Sequence, residues 1–278
     1  MTSRRLTALR PFLVIIPAAG CTLAAFSCAK ESSARAESRE REPAALASTP
    51  APAAPEPAPA TDSGPDMPHV RVFSDRVEIE GIVPIDCHHP DTPHIFLEVV
   101  ACAPDTREHE ALVMTKARPS HIHAALLMLG RTPGMPGSWI WNGPGSDITY
   151  NKPSGDEIDI YLRYTTPEGL VKAQPVREWI VDVDTGEPLP DAPFKFAGSR
   201  FVDYRGEEVY DADHAGTIVG LATFGNEVVA WTEVFSPEAS IDAPRWIANT
   251  KTVPEFGTPV TLILVPRRGE TRSPFLMK

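Results

Sequence analysis

Cysteine is scarce in this chain. Four occur in 278 residues, and only Cys87 and Cys102 lie beyond residue 28. An iron–sulfur cluster needs four closely set thiolates; with two, and no Cys-x-x-Cys, none is expected. Positive charge is also short, with 26 Lys and Arg against 37 Asp and Glu and a formal net charge of −11. A nucleic-acid binder needs a basic face, so that class is excluded, as is a domain that adheres to anionic lipid through its own surface. There is no Gly-x-Ser-x-Gly, no His-Glu-x-x-His and no phosphate-binding glycine loop, so no complete motif names a reaction.

Proline is abundant, at 30 residues, and its placement divides the chain. Met1 to Arg10 carries Arg4, Arg5 and Arg10 and no acid. Pro11 to Ser27 is apolar, and Cys28 is followed by Lys30 and Glu31. This is the pattern of a secretory signal, residues 1–28. A transmembrane anchor would need about 20 apolar residues, and Pro17 interrupts this run. Cys28, after Ala25-Phe-Ser27, is the expected lipidated residue. Cys21, after Ala18-Ala-Gly20, is the alternative, and a plain signal-peptidase cut is the third.

Residues 29–69 have no hydrophobic periodicity, and eight prolines lie between Pro43 and Pro68. Such a segment cannot bury enough apolar surface to fold. It is expected to be a disordered, extended tether with a reach on the order of 100 Å. The chain then reads as an exported, membrane-anchored lipoprotein facing the periplasm or the cell exterior.

One folded domain is expected over residues 70–278. Val70–Phe73 and Val77–Glu80 alternate as a hairpin, and Ile95–Ala101 and Ala111–Met114 read as further strands. Pro119 to Leu129, stopped by Gly130, is the firm helix; its apolar residues cover most of the circumference, which predicts burial all round. Glu157–Tyr164, Leu170–Val176, Phe194–Ala197, Glu208–Tyr210 and Thr217–Phe224 read as strands. Val260–Val265, apolar on both faces, reads as a central one. The class is α+β: β-rich, mostly antiparallel, with one buried helix near 119–129.

Leu97-Glu98, Cys102, Arg107-Glu-His-Glu-Ala111 and His123-Ala-Ala-Leu-Leu-Met-Leu-Gly130 resemble the opening of the YdjY-like domain family. Trp179, Phe196-Ala-Gly-Ser199 and Gly257-Thr-Pro-Val260 fit it as well. The resemblance implies an exported bacterial domain of largely uncharacterised function.

Strand parity places Phe96, Glu98, Val100 and Cys102 on one face. Glu98 is costly in such a strand without a partner. With His109, Glu110 and His123 it forms a candidate constellation, on which three readings stand. In the first, Cys102 is disulfide-bonded, Glu98 pairs with His109, and His123 packs in the core. In the second, imidazoles with a carboxylate or thiolate hold Zn²⁺ or copper. In the third, Cys102 is a nucleophile served by His and Glu.

In an oxidising compartment Cys87 and Cys102 read as one disulfide, closing a loop of about 15 residues worth roughly 3 kcal/mol. His121 and His123 differ by about 200° around a helix, so only one can face a given ligand. Cys87-His88-His89 with His94, Asp86 and Asp91 forms an irregular second cluster. Trp139-Ile-Trp141 offers an aromatic edge, and Asp211, Asp213 and His214 read as a loop. The leading function is an envelope-tethered binding or assembly domain for an unknown ligand or protein. The alternative is a metal-dependent (Zn or Cu) or cysteine-dependent enzyme using Glu98, Cys102, His109 and His123.

Overall fold

The computed structural model describes residues 66–143 and 147–267. The signal segment, Cys21, Cys28 and nearly all of the tether lie outside the described residues. The domain's contacts reach back slightly further than expected, because Met67 packs against the main core and its carbonyl accepts from Val70 N at 3.1 Å.

Eight strands close into a barrel: β1 (Val77–Ile82), β2 (Val99–Cys102), β3 (Ala111–Met114), β4 (Glu157–Thr165), β5 (Phe194–Lys195), β6 (Thr217–Gly220), β7 (Val229–Trp231) and β8 (Pro259–Pro266). Around the barrel the order is β1-β8-β4-β5-β7-β6-β2-β3, and β3 returns to β1 through the single pair Ile82↔Met114. Most neighbours are antiparallel; β2/β3 and β6/β7 are parallel. The domain is therefore mostly β with few helices, β-rich and largely antiparallel as expected, and its closure into a barrel is what the α+β expectation did not include. Closure is what alternation patterns cannot report, since an open sheet and a barrel of the same strands have the same period.

The expected hairpin is present: Val70–Val72 pairs with β1, Val70 opposite Ile79. Val77 and Ile79 face the interior at 0% exposure. Glu78, on the outward parity, is nearly as buried, because Arg163 grips its carboxylate at 2.6 and 3.1 Å and Arg76 Nε adds a bond at 2.7 Å. Burial is the largest single effect and raises its pKa, but the two guanidiniums together outweigh it and hold the carboxyl below its usual range. The central strand is also borne out: β8 lies between β1 and β4, with Leu262, Ile263 and Leu264 fully buried.

Helix α1 (Pro119–Met128) starts with proline in its first turn and stops at Gly130, whose φ is +69°. Gly130 N donates to Leu127 O at 2.8 Å and Arg131 N to Leu126 O at 3.1 Å, which satisfies the last carbonyls. Burial is one-sided, however. Ile122, Ala125 and Leu126 are fully buried, while Leu127 and Met128 are about half exposed.

Asp211 to Ala215, expected as a loop, forms a one-turn helix α2. Its Asp213 accepts from Ser120 N and Ser120 Oγ, both at 2.7 Å, and from Arg118 at 2.9 Å. A carboxylate there caps α1 and faces the positive end of its dipole.

The two parallel pairs are built alike. Parallel neighbours usually need a crossover of a dozen residues or more, yet β2 reaches β3 through residues 103–110 and β6 reaches β7 through residues 221–228. A glutamate side chain pins each tight connection. Glu108 accepts from the amides of Asp105 and Thr106, and Glu227 from those of Phe224 and Gly225. Each glutamate bonds the residues two and three positions before it, so one backbone solution appears twice, on adjacent strand pairs. Among the described residues no helix is long and apolar enough to cross a membrane.

Candidate functional site

Cys102 ends β2 and is fully buried. Burial pushes its thiol up to about 11, against smaller opposing bonds from Thr106 and the Arg107 amide. At that value almost no thiolate exists at neutral pH, so a nucleophile or thiolate ligand is disfavoured. The expected disulfide is corrected as well, since Cys87 and Cys102 are both free and buried. The β2–β6 ladder carries register shifts. These break the simple alternation, so Val100 and Ala101 join the main core with Cys87, whereas Cys102 packs with Val99 and Ala111 under Phe224. The two thiols therefore belong to different apolar clusters. In a chain carrying Cys21→Ser and Cys28→Ser, Ellman's reagent is expected to label neither cysteine in native protein and both in guanidinium. A gain of two hydrogens in intact mass on reduction would restore the disulfide.

Glu98 precedes β2 and is tied on both sides. Its N–H donates to Glu110 O at 3.1 Å, and its carbonyl accepts from Leu221 N at 3.0 Å and Ala222 N at 2.8 Å. Its side chain is 25% exposed, with Oε2 3.7 Å from Arg107 Nε. Burial, then the bond to Glu110 and that residue's charge, push the Glu98 carboxyl up to about 7, with Arg107 opposing. A carboxyl so placed is largely protonated below neutrality and charged above it. Arg107 is itself stationed by Ala215 O and Thr217 Oγ1, each at 3.3 Å, and lies 4.1 Å over the Phe224 ring. His109 sits in the same 3-10 turn, Glu108–Glu110, but is exposed and does not pair with Glu98.

Glu227 escaped the sequence reading. It is fully buried; Oε1 takes the two loop amides, while Oε2 has no partner, and burial raises its pKa. Gly220 makes room for it, since a Cβ there would stand 2.4 Å from Glu227 Cγ. The available signal was Asn226-Glu227 interrupting an otherwise apolar stretch.

His123 belongs to a different set. Its Nδ1 lies 2.8 Å from the Tyr210 hydroxyl and 3.0 Å from Gly198 O, and the hydroxyl also donates to Gly198 O at 3.0 Å. Phe196 and Tyr210 pack edgewise on the ring, at 5.0 and 5.6 Å between centroids. Burial lowers the His123 pKa and raises that of Tyr210, so both are neutral at pH 7. Glu98 and His123 thus have separate partners, and the constellation divides: Glu98, Glu110, Arg107 and Cys102 on one side, His123 with Tyr210 and Gly198 on the other. The Gly198–Ser199 segment beside His123 is held by backbone bonds, Ser199 N donating to Glu227 O and Gly198 N to Val228 O, both at 2.9 Å.

Of the remaining candidates, His121 has its Nδ1 buried without a hydrogen-bond partner, while others find ordinary ones. His88 Nε2 bonds Val253 O at 2.8 Å, and His89 Nδ1 accepts from Asp91 N at 3.2 Å. Trp139 Nε1 donates to Thr223 O at 3.1 Å, and Trp141 is half exposed on a hairpin of Ser138–Trp141 with Ile148–Asn151. Among the described residues no three His, Cys, Asp or Glu side chains converge as metal ligands.

Compared with known families, the chain matches the YdjY domain over residues 72–265. No curated protein and no solved structure matches it.

Proposed function

Because the chain belongs to the YdjY domain family, we propose that its barrel is a binding or assembly module for an envelope ligand or protein, held at a membrane by lipid on Cys28. The observation that carries this reading is the division of the polar constellation into two sets, each satisfied by its own neighbours. A catalytic centre keeps a nucleophile, base or metal ligand poised toward substrate. Here Cys102 is sealed, His123 is spent on Gly198 and Tyr210, and His109 is exposed to solvent.

Elemental analysis of metal-stripped, reloaded protein tests the reading against the metal enzyme. The expected result is no stoichiometric metal. Zinc or copper retained by the wild type and lost in His109→Ala would overturn it. One observation favours a second reading: the Glu98 carboxyl, raised to about 7 beside Glu110, has the proton affinity that general acid–base chemistry uses.

Anchoring has its own test. Cys28→Ser is expected to abolish acyl labelling and release the protein to the soluble fraction, while Cys21→Ser changes neither. The reverse pattern would move the lipid to Cys21, and labelling unaffected by both would end the lipoprotein reading.

A further inference from the structure

We propose that a cleft on the flank of the barrel binds a small organic carboxylate with an apolar body, through Arg177. The cleft has a volume of about 260 Å³ and lies between β4, the 3-10 turn Val176–Trp179 and the segment 189–192. None of the residues singled out by the sequence lines it. Its floor is apolar: Leu189, Phe194 and Trp231 are at most 3% exposed, and the last two rings pack with centroids 4.9 Å apart. Two arginines stand at its edge, and they differ in one respect. Arg267 is committed to Asp159, with Nη2 2.6 Å from Oδ1. Arg177 has no hydrogen-bond, ion-pair or ring partner among the described residues.

That vacancy is unusual in this domain. The other described arginines each hold a carboxylate or an aromatic ring, from Arg71 on Glu80 to Arg245 on Asp182 and Arg205 on Tyr204. An acid stands beside Arg177 in sequence, Glu178, but it accepts from Gln174 Nε2 at 3.0 Å instead. A half-buried guanidinium above an apolar floor has five donors and a fixed fork that matches a carboxylate. Charge sets the class of anion. Asp159, Glu178 and Asp191 also line the cleft, so a doubly charged phosphate meets more repulsion than a single carboxylate does. Volume sets the size, at about nine non-hydrogen atoms if each takes roughly the share of a liquid water. The site gives the binding reading above a location and a ligand chemistry, and it rests on that reading.

Phenylacetate is the probe, titrated into the full-length protein and followed by the fluorescence of Trp231 and by saturation-transfer NMR. Binding is expected for phenylacetate, with phenylacetamide weaker by about tenfold or more, the scale of one charge-assisted hydrogen-bonded contact. Arg177→Ala is expected to remove the preference for the acid, Arg177→Lys to restore part of it, and Ala192→Trp to block both probes. Far-UV circular dichroism and a cooperative thermal melt matching wild type show that each variant is folded. Equal affinity for acid and amide, insensitivity to Arg177→Ala, or no binding of phenylacetate at millimolar concentration would each overturn the site. Those outcomes leave the metal analysis untouched, so failure of the cleft is distinguishable from failure of the binding reading.

Discussion

Gly155→Ala is expected to cost the domain more than about 3 kcal/mol, combining a Gly-only backbone conformation with forced overpacking. Gly155 has φ +112°, where an L side chain is strained. A Cβ there would also stand 2.1 Å from Phe196 O and 2.7 Å from Gly134 N. Both obstacles are backbone, so no rotamer change relieves them. Three segments cross at this point: Pro133 bridges Gly155, Gly134 N donates to Phe196 O at 2.9 Å, and Phe196 N donates to Asp156 O at 2.8 Å. The same crossing leads into Gly198, whose carbonyl holds His123. Urea denaturation supplies the measurement. Gly169→Ala is the control, since φ there is +82° with nothing within 4 Å; it should cost only about 1 kcal/mol. Equal losses in the two variants would show that the crossing yields and that the close approach carries no energy.

The second large effect is on pH. Glu98 has its carboxyl raised to about 7 in the folded domain, whereas an unfolded glutamate titrates near 4.3. Between those values the folded state holds the extra proton, so stability falls as pH rises through this window. Below it both states are protonated and above it both are ionised, and the dependence flattens. With its side chain a quarter exposed, the loss between about pH 5 and pH 7.5 should be on the order of 2 kcal/mol. Glu98→Gln keeps the shape and removes the titration, so its stability should be nearly flat over the range and should exceed the wild type at pH 8. Melts at half-unit pH steps decide it. A wild-type profile that rises from pH 5 to pH 7.5 would show that Arg107, and not burial with Glu110, governs this carboxyl.

Local patterns carried the elements whose neighbours are near in sequence. Alternation in 70–82 located the hairpin, and Gly130 located the end of α1, because turns and caps are short-range chemistry. Two-sided apolarity in Val260–Val265 found the strand with partners on both edges. The barrel was beyond such signals. Its seam is one residue pair, and β5 is two residues long. The site divides in the same way. That Glu98 needed a partner was legible from its apolar surroundings. That the partners are Glu110 and Arg107 depends on a turn fold that brings residues 107–110 back beside 98. His123 looked like a ligand because its partners were invisible in sequence: a backbone carbonyl 75 positions away and a tyrosine 87 away. Cys102 was assigned to the wrong face because a bulge changes parity and leaves no compositional mark.

The position of β8 has a consequence for how the molecule comes into being. The last strand of the barrel lies between the first and the fourth, with Leu262 opposite Ile79 on one edge and Leu162 on the other. As the chain emerges from the ribosome, β1 and β4 wait with open edges until residues 259–266 arrive, more than 90 residues after β4 is complete. Such distant pairings make assembly slow and leave a nascent chain without a finished core. A polypeptide with this wiring cannot close its barrel until residues 259–266 have been made and are free to pair on both edges. Truncation before Pro259 would then yield no barrel at all, only a chain with two unsatisfied strands.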